Sequence, residues 1–158
     1  MPLTVWRLTR PAYAAAAFDG RGAADYGGRW NPVGVPVAYA SEALSLAALE
    51  LLVHLDSAAV GGVAYAALAA TLPDDAVETL PLAELPGDWA SPVAVPALAE
   101  IGRRWAASGR SLALRVPSAV VPVEFNVLVN PRHARMAQVT VAAARPWLYD
   151  ARLVKAET

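Results

Sequence analysis

Apolar and polar positions follow two different spacings along this chain, and each spacing predicts a kind of secondary structure. Short apolar stretches that are bounded by Gly, Pro or polar turn residues predict strands. These stretches are 3–9, 35–40, 63–72, 111–118, 119–130 and 137–149. The segment 63–72 is ambiguous between strand and helix, and Pro73 directly after it favours a strand.

Two longer segments predict helices, because their ends carry start and stop signals. Residues 41–56 open on Ser41, which is a good N-cap residue, and the pair Gly61–Gly62 follows them. Residues 96–109 have a proline at the start and Gly109 at the end. Both segments are therefore expected to begin and end close to these signals.

The remaining segments, 19–36 and 73–95, are rich in Gly and Pro and predict loops. Strands and helices thus alternate along the chain, which is typical of an α/β or α+β protein. We expect a single domain over residues 1–158, with a central mixed sheet flanked by helices.

Composition excludes several classes of function. The formal net charge of −1 gives no electrostatic reason to expect nucleic acid or an anionic membrane as the main partner. The absence of cysteine excludes disulfides, Cys-based zinc sites and thiol catalysis. His54 and His133 are far apart, so metal catalysis is not expected. Without a secretory signal or an apolar run that could span a membrane, the cytoplasm is the expected location.

Glu50 is the most informative single residue, because it lies in the apolar run LAALELLV. A helical wheel places Glu42 and Asp56 on the solvent stripe and Glu50 about 80° away from Glu42. A carboxylate in such surroundings is expected to be paired or hydrogen-bonded. The alternative is a Glu50 that flanks the solvated face and pairs with His54 one turn further on.

The turn YGGRWN around Arg29 also allows two interpretations. Gly27 and Gly28 permit a close approach of the backbone to a ligand, and arginine offers a planar donor fork that suits phosphate. The alternative is a surface turn in which Trp30 forms an aromatic lid.

Four further residues are ambiguous when each is taken alone. Arg7 lies in an apolar strand, where ordinary alternation favours a side chain that faces water and burial would require a partner. Tyr39 fits a core tyrosine, or one that stacks on a flat ring or donates a hydrogen bond. Ser118 fits a turn serine, and Asn126 fits an asparagine that caps a strand.

Two long motifs occur in a fixed order. The first is GRGAADYGGRWNPVGVPVAYASEALSLAALELLVHL, and the second is LALRVPSAVVPVEFNVLVNPRH. Together with WRLTRP near the start and YDARL near the end, they resemble the RES domain family, the toxin half of RES–Xre toxin–antitoxin pairs. The resemblance covers nearly the whole chain.

The resemblance implies a fold similar to that of ADP-ribosyltransferases. It also implies a set of functional residues, carried over by motif position. The catalytic ones would be Arg29, Tyr39, Glu50 and Ser118, and the substrate-binding ones Arg7, Trp30 and Asn126. No metal would take part.

The activity implied is cleavage of the nicotinamide–ribose bond of NAD⁺, with water or inorganic phosphate as acceptor and no helper cofactor. Two alternatives stay open: a protein ADP-ribosyltransferase that uses the same site, and an inactive member that only binds its antitoxin. The implied partner is an Xre-type helix-turn-helix antitoxin, which itself would read DNA. A toxin homodimer within the toxin–antitoxin complex is also expected.

Overall fold

A computed structural model describes residues 1–55 and 60–154 of the chain, and the strands lie close to the predicted segments. The strands are β1 (Leu3–Thr9), β2 (Ala38–Ser41), β3 (Tyr65–Leu72), β4 (Val77–Thr79), β5 (Ala113–Pro117), β6 (Phe125–Val129), β7 (Thr140–Val141) and β8 (Arg145–Trp147). The α-helices of the described residues are α1 (Arg21–Tyr26), α2 (Leu44–Leu52) and α3 (Pro96–Ser108). The ambiguous segment 63–72 is a strand, as predicted.

All the strands belong to one sheet in the order β4-β5-β6-β2-β1-β3, with β7 and β8 following each other along the free edge of β3. β4 and β5 run parallel, and every other pair is antiparallel. The predicted class, an α+β fold built on a mixed sheet with helices, is therefore confirmed. The order also places β2 next to β6, although a long stretch of chain separates them.

The two faces of the sheet carry different layers, because neighbouring strand residues point to opposite sides. In β6, Val127 and Val129 join one core cluster, whereas Leu128 lies on the other face and packs with Leu98 and Trp105 of α3. α2 contributes Ala48 to a third cluster. The β3 residues of this third cluster alternate with the β3 residues of the first cluster, so the third cluster lies on the opposite face from the first, which is the face of α3. α2 and α3 therefore cover the same face of the sheet over different strands.

Helix α2 is shorter than predicted at its N-terminus. It begins at Leu44 with Ala43 as N-cap, and Ser41 is the last residue of β2 instead of the cap. The Ser41 hydroxyl donates to the side chain of Asn126, and no side chain caps the start of the helix. The helix also ends earlier than the predicted Asp56, because Leu52 is its last residue and residues 53 and 54 form a turn.

Two predicted loops contain short regular elements. The segment 19–36 includes α1, and the segment 73–95 includes β4. β4 forms because its backbone pairs with β5 at the edge of the sheet, which is a tertiary contact that local composition does not reveal.

Helix α3 matches its prediction and packs very closely on the turn around Arg29. It begins at Pro96 and ends at Ser108, and Gly109 is the C-cap with a φ of 62°. At Gly102, a Cβ atom would lie 1.6 Å from the backbone oxygen of Trp30. The backbone of this turn therefore rests directly against the helix, and its position is set by that contact.

Candidate active site

The candidate site is a cleft of about 880 Å³ on the sheet face that carries the two longer helices. Its lining comes from α2, from strands β1, β2 and β6, from the turn after α1, and from the segment that precedes α3. All seven residues that the resemblance singled out lie in this region. Six of them line the cleft directly, and Ser118 lies behind Glu50.

Glu50 is held by two donors through a single carboxylate oxygen. Ser118 Oγ donates to Glu50 Oε1 at 2.6 Å, and Asn126 Nδ2 donates to the same oxygen at 2.7 Å. No other described residue donates a hydrogen bond to Oε2. The predicted hydrogen bonding of this carboxylate is confirmed, and the alternative of an ion pair with His54 is wrong.

Ser118 is fully buried, with 0% of its surface exposed, and it cannot reach a ligand in the cleft. Its Oγ accepts hydrogen bonds from the backbone N–H groups of Val120 and Val121, at 3.1 Å and 3.0 Å. The hydroxyl proton is therefore directed to Glu50. The turn-serine interpretation is correct, because the hydroxyl accepts from backbone N–H groups of the turn that follows it. The same hydroxyl also donates to Glu50 and orients its carboxylate.

Asn126 stands opposite Ser41 in the β2–β6 pair. Ser41 Oγ donates to Asn126 Oδ1 at 2.7 Å, which leaves the Asn126 amide nitrogen free to donate to Glu50. Ser41 was not predicted as a site residue. A signal was present, because Ser41 is two positions after Tyr39 in the same strand, and such residues share a face.

Tyr39 is oriented by the turn around Arg29. Its hydroxyl donates to Asn31 Oδ1 at 2.5 Å and accepts from the Trp30 backbone N–H at 3.0 Å. Burial raises the pKa of Tyr39 above its ordinary value, so the phenol stays protonated. The single proton of the hydroxyl is given to Asn31, so the alternative of a hydrogen bond donated to a ligand has no proton available. The side chain therefore offers its ring to the cleft.

Asn31 was also missed by the sequence analysis, although it lies within the YGGRWN motif. It is buried, and its Nδ2 lies within hydrogen-bond distance of the carbonyl oxygens of Ala23, Pro32 and Val35. These acceptors fix the amide orientation, so that Oδ1 faces the Tyr39 hydroxyl. Its place directly after Trp30, in the motif that also contains Arg29, was the sequence signal that could have found it.

The glycine at position 28 has a steric reason besides the predicted approach of a ligand, which stays a prediction. A Cβ atom there would lie 2.7 Å from the Tyr39 hydroxyl oxygen and 2.9 Å from Asn31 Oδ1. Gly28 therefore makes room for the hydrogen bond between these two side chains.

We expect Gly28→Ala to lower the free energy of unfolding by about 1–3 kcal/mol, the usual cost of overpacking a tight site. Urea unfolding measures this change. Gly87→Ala is the matched control, because a Cβ atom at that position meets nothing within 4 Å. Equal unfolding midpoints for the two variants would contradict the steric argument.

Arg29 bridges the turn to the segment before α3. Its Nη1 donates to the Trp89 carbonyl oxygen at 3.1 Å, and its Nη2 donates to the Ser91 carbonyl oxygen at 2.8 Å. Its Nε donates to no other described residue, so part of the donor fork is open to an anion. Trp30 is only 2% exposed and packs with the core under α3, so the alternative of an aromatic lid is wrong. Substrate contact by Trp30 stays a prediction.

Arg7 is withdrawn from water, and the expectation that it faces solvent is wrong. Its Nη1 donates to the Tyr39 carbonyl oxygen at 2.7 Å, and its Nε is buried without a hydrogen-bond partner. Burial lowers the pKa of the Arg7 guanidinium, although arginine keeps its charge at neutral pH. The cleft thus combines two guanidinium groups with one oriented carboxylate, an arrangement that suits a ligand with both negative and positive groups.

In residues 1–55 and 60–154, no group of three His, Cys, Asp or Glu side chains is placed to hold a metal ion. Within the same ranges, no helix has both the length and the apolarity needed to cross a bilayer.

Comparison with known proteins adds a family and a fold. The family described as the RES domain matches residues 4–151 of the chain. A protein of Photorhabdus laumondii subsp. laumondii named Toxin Res is 38% identical over 98% of this chain and 99% of its own length. A Sphingobium protein named Prs ADP-ribosylating toxin is 36% identical, with the same coverage of both chains.

A solved structure shares the fold. It is the M. tuberculosis MbcT–MbcA toxin–antitoxin complex, in which the matching chain has a TM-score of 0.74 and 19% sequence identity. The match covers 94% of this chain and 85% of the other. At this identity the likeness shows a common architecture of mixed sheet and helices.

Proposed function

The chain belongs to the RES domain family, and on that basis we propose that it is a toxin that breaks the nicotinamide–ribose bond of NAD⁺. The observation that carries the proposal is the arrangement of Glu50. Its Oε1 is held by Ser118 and Asn126, while Oε2 accepts from no other described residue, in a cleft that Arg7 and Arg29 also line.

Glu50 would act on the positive charge that develops during the reaction. When the bond from ribose C1 to the nicotinamide nitrogen breaks, its electron pair leaves with nicotinamide, which becomes neutral. The ribose ring takes on oxocarbenium character, as in glycoside cleavage. A carboxylate that is already oriented stabilises this charge without reorganisation, and it can also accept a hydrogen bond from a ribose hydroxyl.

The two arginines would hold the opposite end of the substrate. The pyrophosphate of NAD⁺ carries negative charge, and guanidinium groups bind phosphate oxygens with charge-assisted hydrogen bonds. Arg29 would use the donors that its two carbonyl contacts leave open, and Arg7 would supply a desolvated positive charge. The ring of Tyr39 would stack on nicotinamide or the ribose edge.

The acceptor at ribose C1 would be water or inorganic phosphate. Water would give ADP-ribose and release one proton, and phosphate would give ADP-ribose-1″-phosphate. NAD⁺ would then be the substrate, and no helper cofactor would be needed. We propose that this activity takes place in the cytoplasm. An Xre-type antitoxin would bind the toxin there, and the toxin would be a homodimer. The M. tuberculosis complex of MbcT with MbcA supports an antitoxin partner.

A second candidate function is transfer of ADP-ribose to a protein. The observation that favours it is the name of the Sphingobium relative, a Prs ADP-ribosylating toxin that matches almost the full length of both chains. The same oriented carboxylate would serve, because only the acceptor differs.

The experiment is to incubate the purified protein with NAD⁺ labelled in the adenosine, in buffer, with phosphate and with cell extract, and to identify the products by mass. We expect free nicotinamide in each active condition, because every acceptor leaves the same product. ADP-ribose, ADP-ribose-1″-phosphate or a labelled protein then identifies the acceptor. If the folded protein releases no nicotinamide under any of these conditions, the proposed function is wrong.

A further inference from the structure

The residues around Glu50 form a chain of hydrogen bonds that extends one residue beyond its direct contacts. From Ser41 Oγ to Asn126 Oδ1 the distance is 2.7 Å, and from Asn126 Nδ2 to Glu50 Oε1 it is also 2.7 Å. Every donor in this chain points the same way, towards the carboxylate. This series of hydrogen bonds begins at Ser41, which is bound directly to neither Glu50 nor Ser118 in it.

We propose that Ser41 is a positioning residue for the reaction, acting through Asn126 to hold the Glu50 carboxylate in its productive orientation. This inference rests on the function proposed above. It assigns Ser41 no contact with the reacting atoms.

The argument depends on the two different ends of the Asn126 side chain. An amide has a carbonyl oxygen that only accepts and an NH₂ group that only donates. The acceptor-only carboxylate of Glu50 favours the orientation in which the NH₂ group faces it, and the proton that Ser41 donates to the amide oxygen adds to this selection. In the reversed orientation the amide oxygen would face Glu50 Oε1, and two acceptors would repel each other.

Ser41 is suited to this selection by its place in the fold. It is 3% exposed, so little solvent can reach the amide in its place if the hydroxyl is removed. It is also the register partner of Asn126 in the β2–β6 ladder, so the two side chains share one side of the sheet. The strand pairing therefore fixes the distance between the hydroxyl and the amide before any substrate arrives.

Ser118 cannot replace this function. Its hydroxyl has one proton, which already goes to Glu50 Oε1, and its lone pairs face the N–H groups of Val120 and Val121. When the Asn126 donor turns away, Glu50 keeps one hydrogen bond and can rotate about it. The carboxylate would then spend less time in the position that the reaction needs.

The test compares Ser41→Ala with Ser41→Thr, which keeps a hydroxyl, and with Ser45→Ala, an exposed serine of α2. Steady-state nicotinamide release gives kcat and KM, and urea unfolding gives the folded fraction. We expect Ser41→Ala to lower kcat about tenfold with KM nearly unchanged, which corresponds to the loss of one buried hydrogen bond. Ser41→Thr should recover most of kcat, and Ser45→Ala should match the wild type.

A second measurement does not depend on activity. In ¹⁵N-labelled protein the Asn126 side-chain NH₂ group should give one pair of sharp signals, because a single orientation is held. Ser41→Ala should broaden or double that pair, and Ser41→Thr should restore it.

The outcomes separate the two proposals. If the wild type releases no nicotinamide but the amide signals change as expected, the proposed function fails and the orienting role of Ser41 stands as a structural property. If the wild type is active and Ser41→Ala changes neither kcat nor the amide signals, the inference is overturned. The inference would also be overturned if a smaller fraction of folded protein fully accounted for the loss of activity in Ser41→Ala.

Discussion

Glu50→Gln is expected to lower the rate of nicotinamide release by on the order of 10³-fold while the protein stays folded, which is the usual effect of losing one charge-stabilising group. Glutamine has almost the same shape as glutamate. Its amide oxygen can still accept from Ser118 Oγ and Asn126 Nδ2. The substitution therefore removes the negative charge and keeps the hydrogen bonds, so the loss of rate measures electrostatic stabilisation of the ribose cation.

Glu42→Gln is the matched control for this prediction. Glu42 is a half-buried glutamate close to the start of the same helix, and it pairs with Arg115 outside the cleft. Its neutralisation should leave the rate of nicotinamide release within a factor of about two, since an exposed or half-exposed pair contributes little. Equal rates for Glu50→Gln and the wild type would remove Glu50 from the mechanism.

Gly102→Ala is expected to lower the free energy of unfolding by on the order of 3–5 kcal/mol, at the high end for a single substitution. The added methyl carbon would lie 1.6 Å from the Trp30 backbone oxygen, 2.7 Å from its carbonyl carbon and 3.5 Å from its Cα. Backbone cannot rotate away as a side chain can, so α3 or the turn has to move. The greater helix propensity of alanine, about 1 kcal/mol, offsets only part of this cost.

Urea unfolding of Gly102→Ala beside Gly22→Ala tests the steric origin of that loss. Gly22 is also helical, in α1, and a Cβ atom there meets nothing within 4 Å. Its replacement should leave the unfolding midpoint unchanged or slightly raised. Should Gly102→Ala unfold at the same urea concentration as Gly22→Ala, the contact between α3 and the turn would be looser than the structure shows.

Strands of the sheet could be predicted from sequence where burial of the strand's own apolar residues is what makes the strand form. β1 is predicted to the residue, because its apolar positions must be buried and its polar ones need not be. α3 follows for a similar reason, since Pro96 and Gly109 mark its ends chemically. β4 could not be predicted, because its three residues become a strand only when β5 lies beside them.

For the candidate site, the order of motifs identified residues that the fold brings together, but it did not identify their contacts. Glu50, Ser118 and Asn126 are three of these residues, and hydrogen bonds join their side chains. Ser41 was predicted as a helix cap, which its local sequence favours. Its actual partner, Asn126, is 85 residues away, and no local rule contains that contact.

The role of Arg29 was also beyond local reasoning. The turn predicts a donor fork held near a ligand, but two of its donors bind carbonyl oxygens of Trp89 and Ser91, which are 60 and 62 residues away. Only the fold brings that segment over the turn. The share of the guanidinium that is left for a ligand is therefore a property of the tertiary structure.

The pairing of β2 with β6 has a consequence for the time at which the site forms during synthesis. Glu50 leaves the ribosome early, whereas Ser118 and Asn126 follow 68 and 76 residues later. A nascent chain that ends before β6 has neither donor in place, so its carboxylate is unoriented. The growing polypeptide thus has no assembled site until the central strands of the sheet have closed.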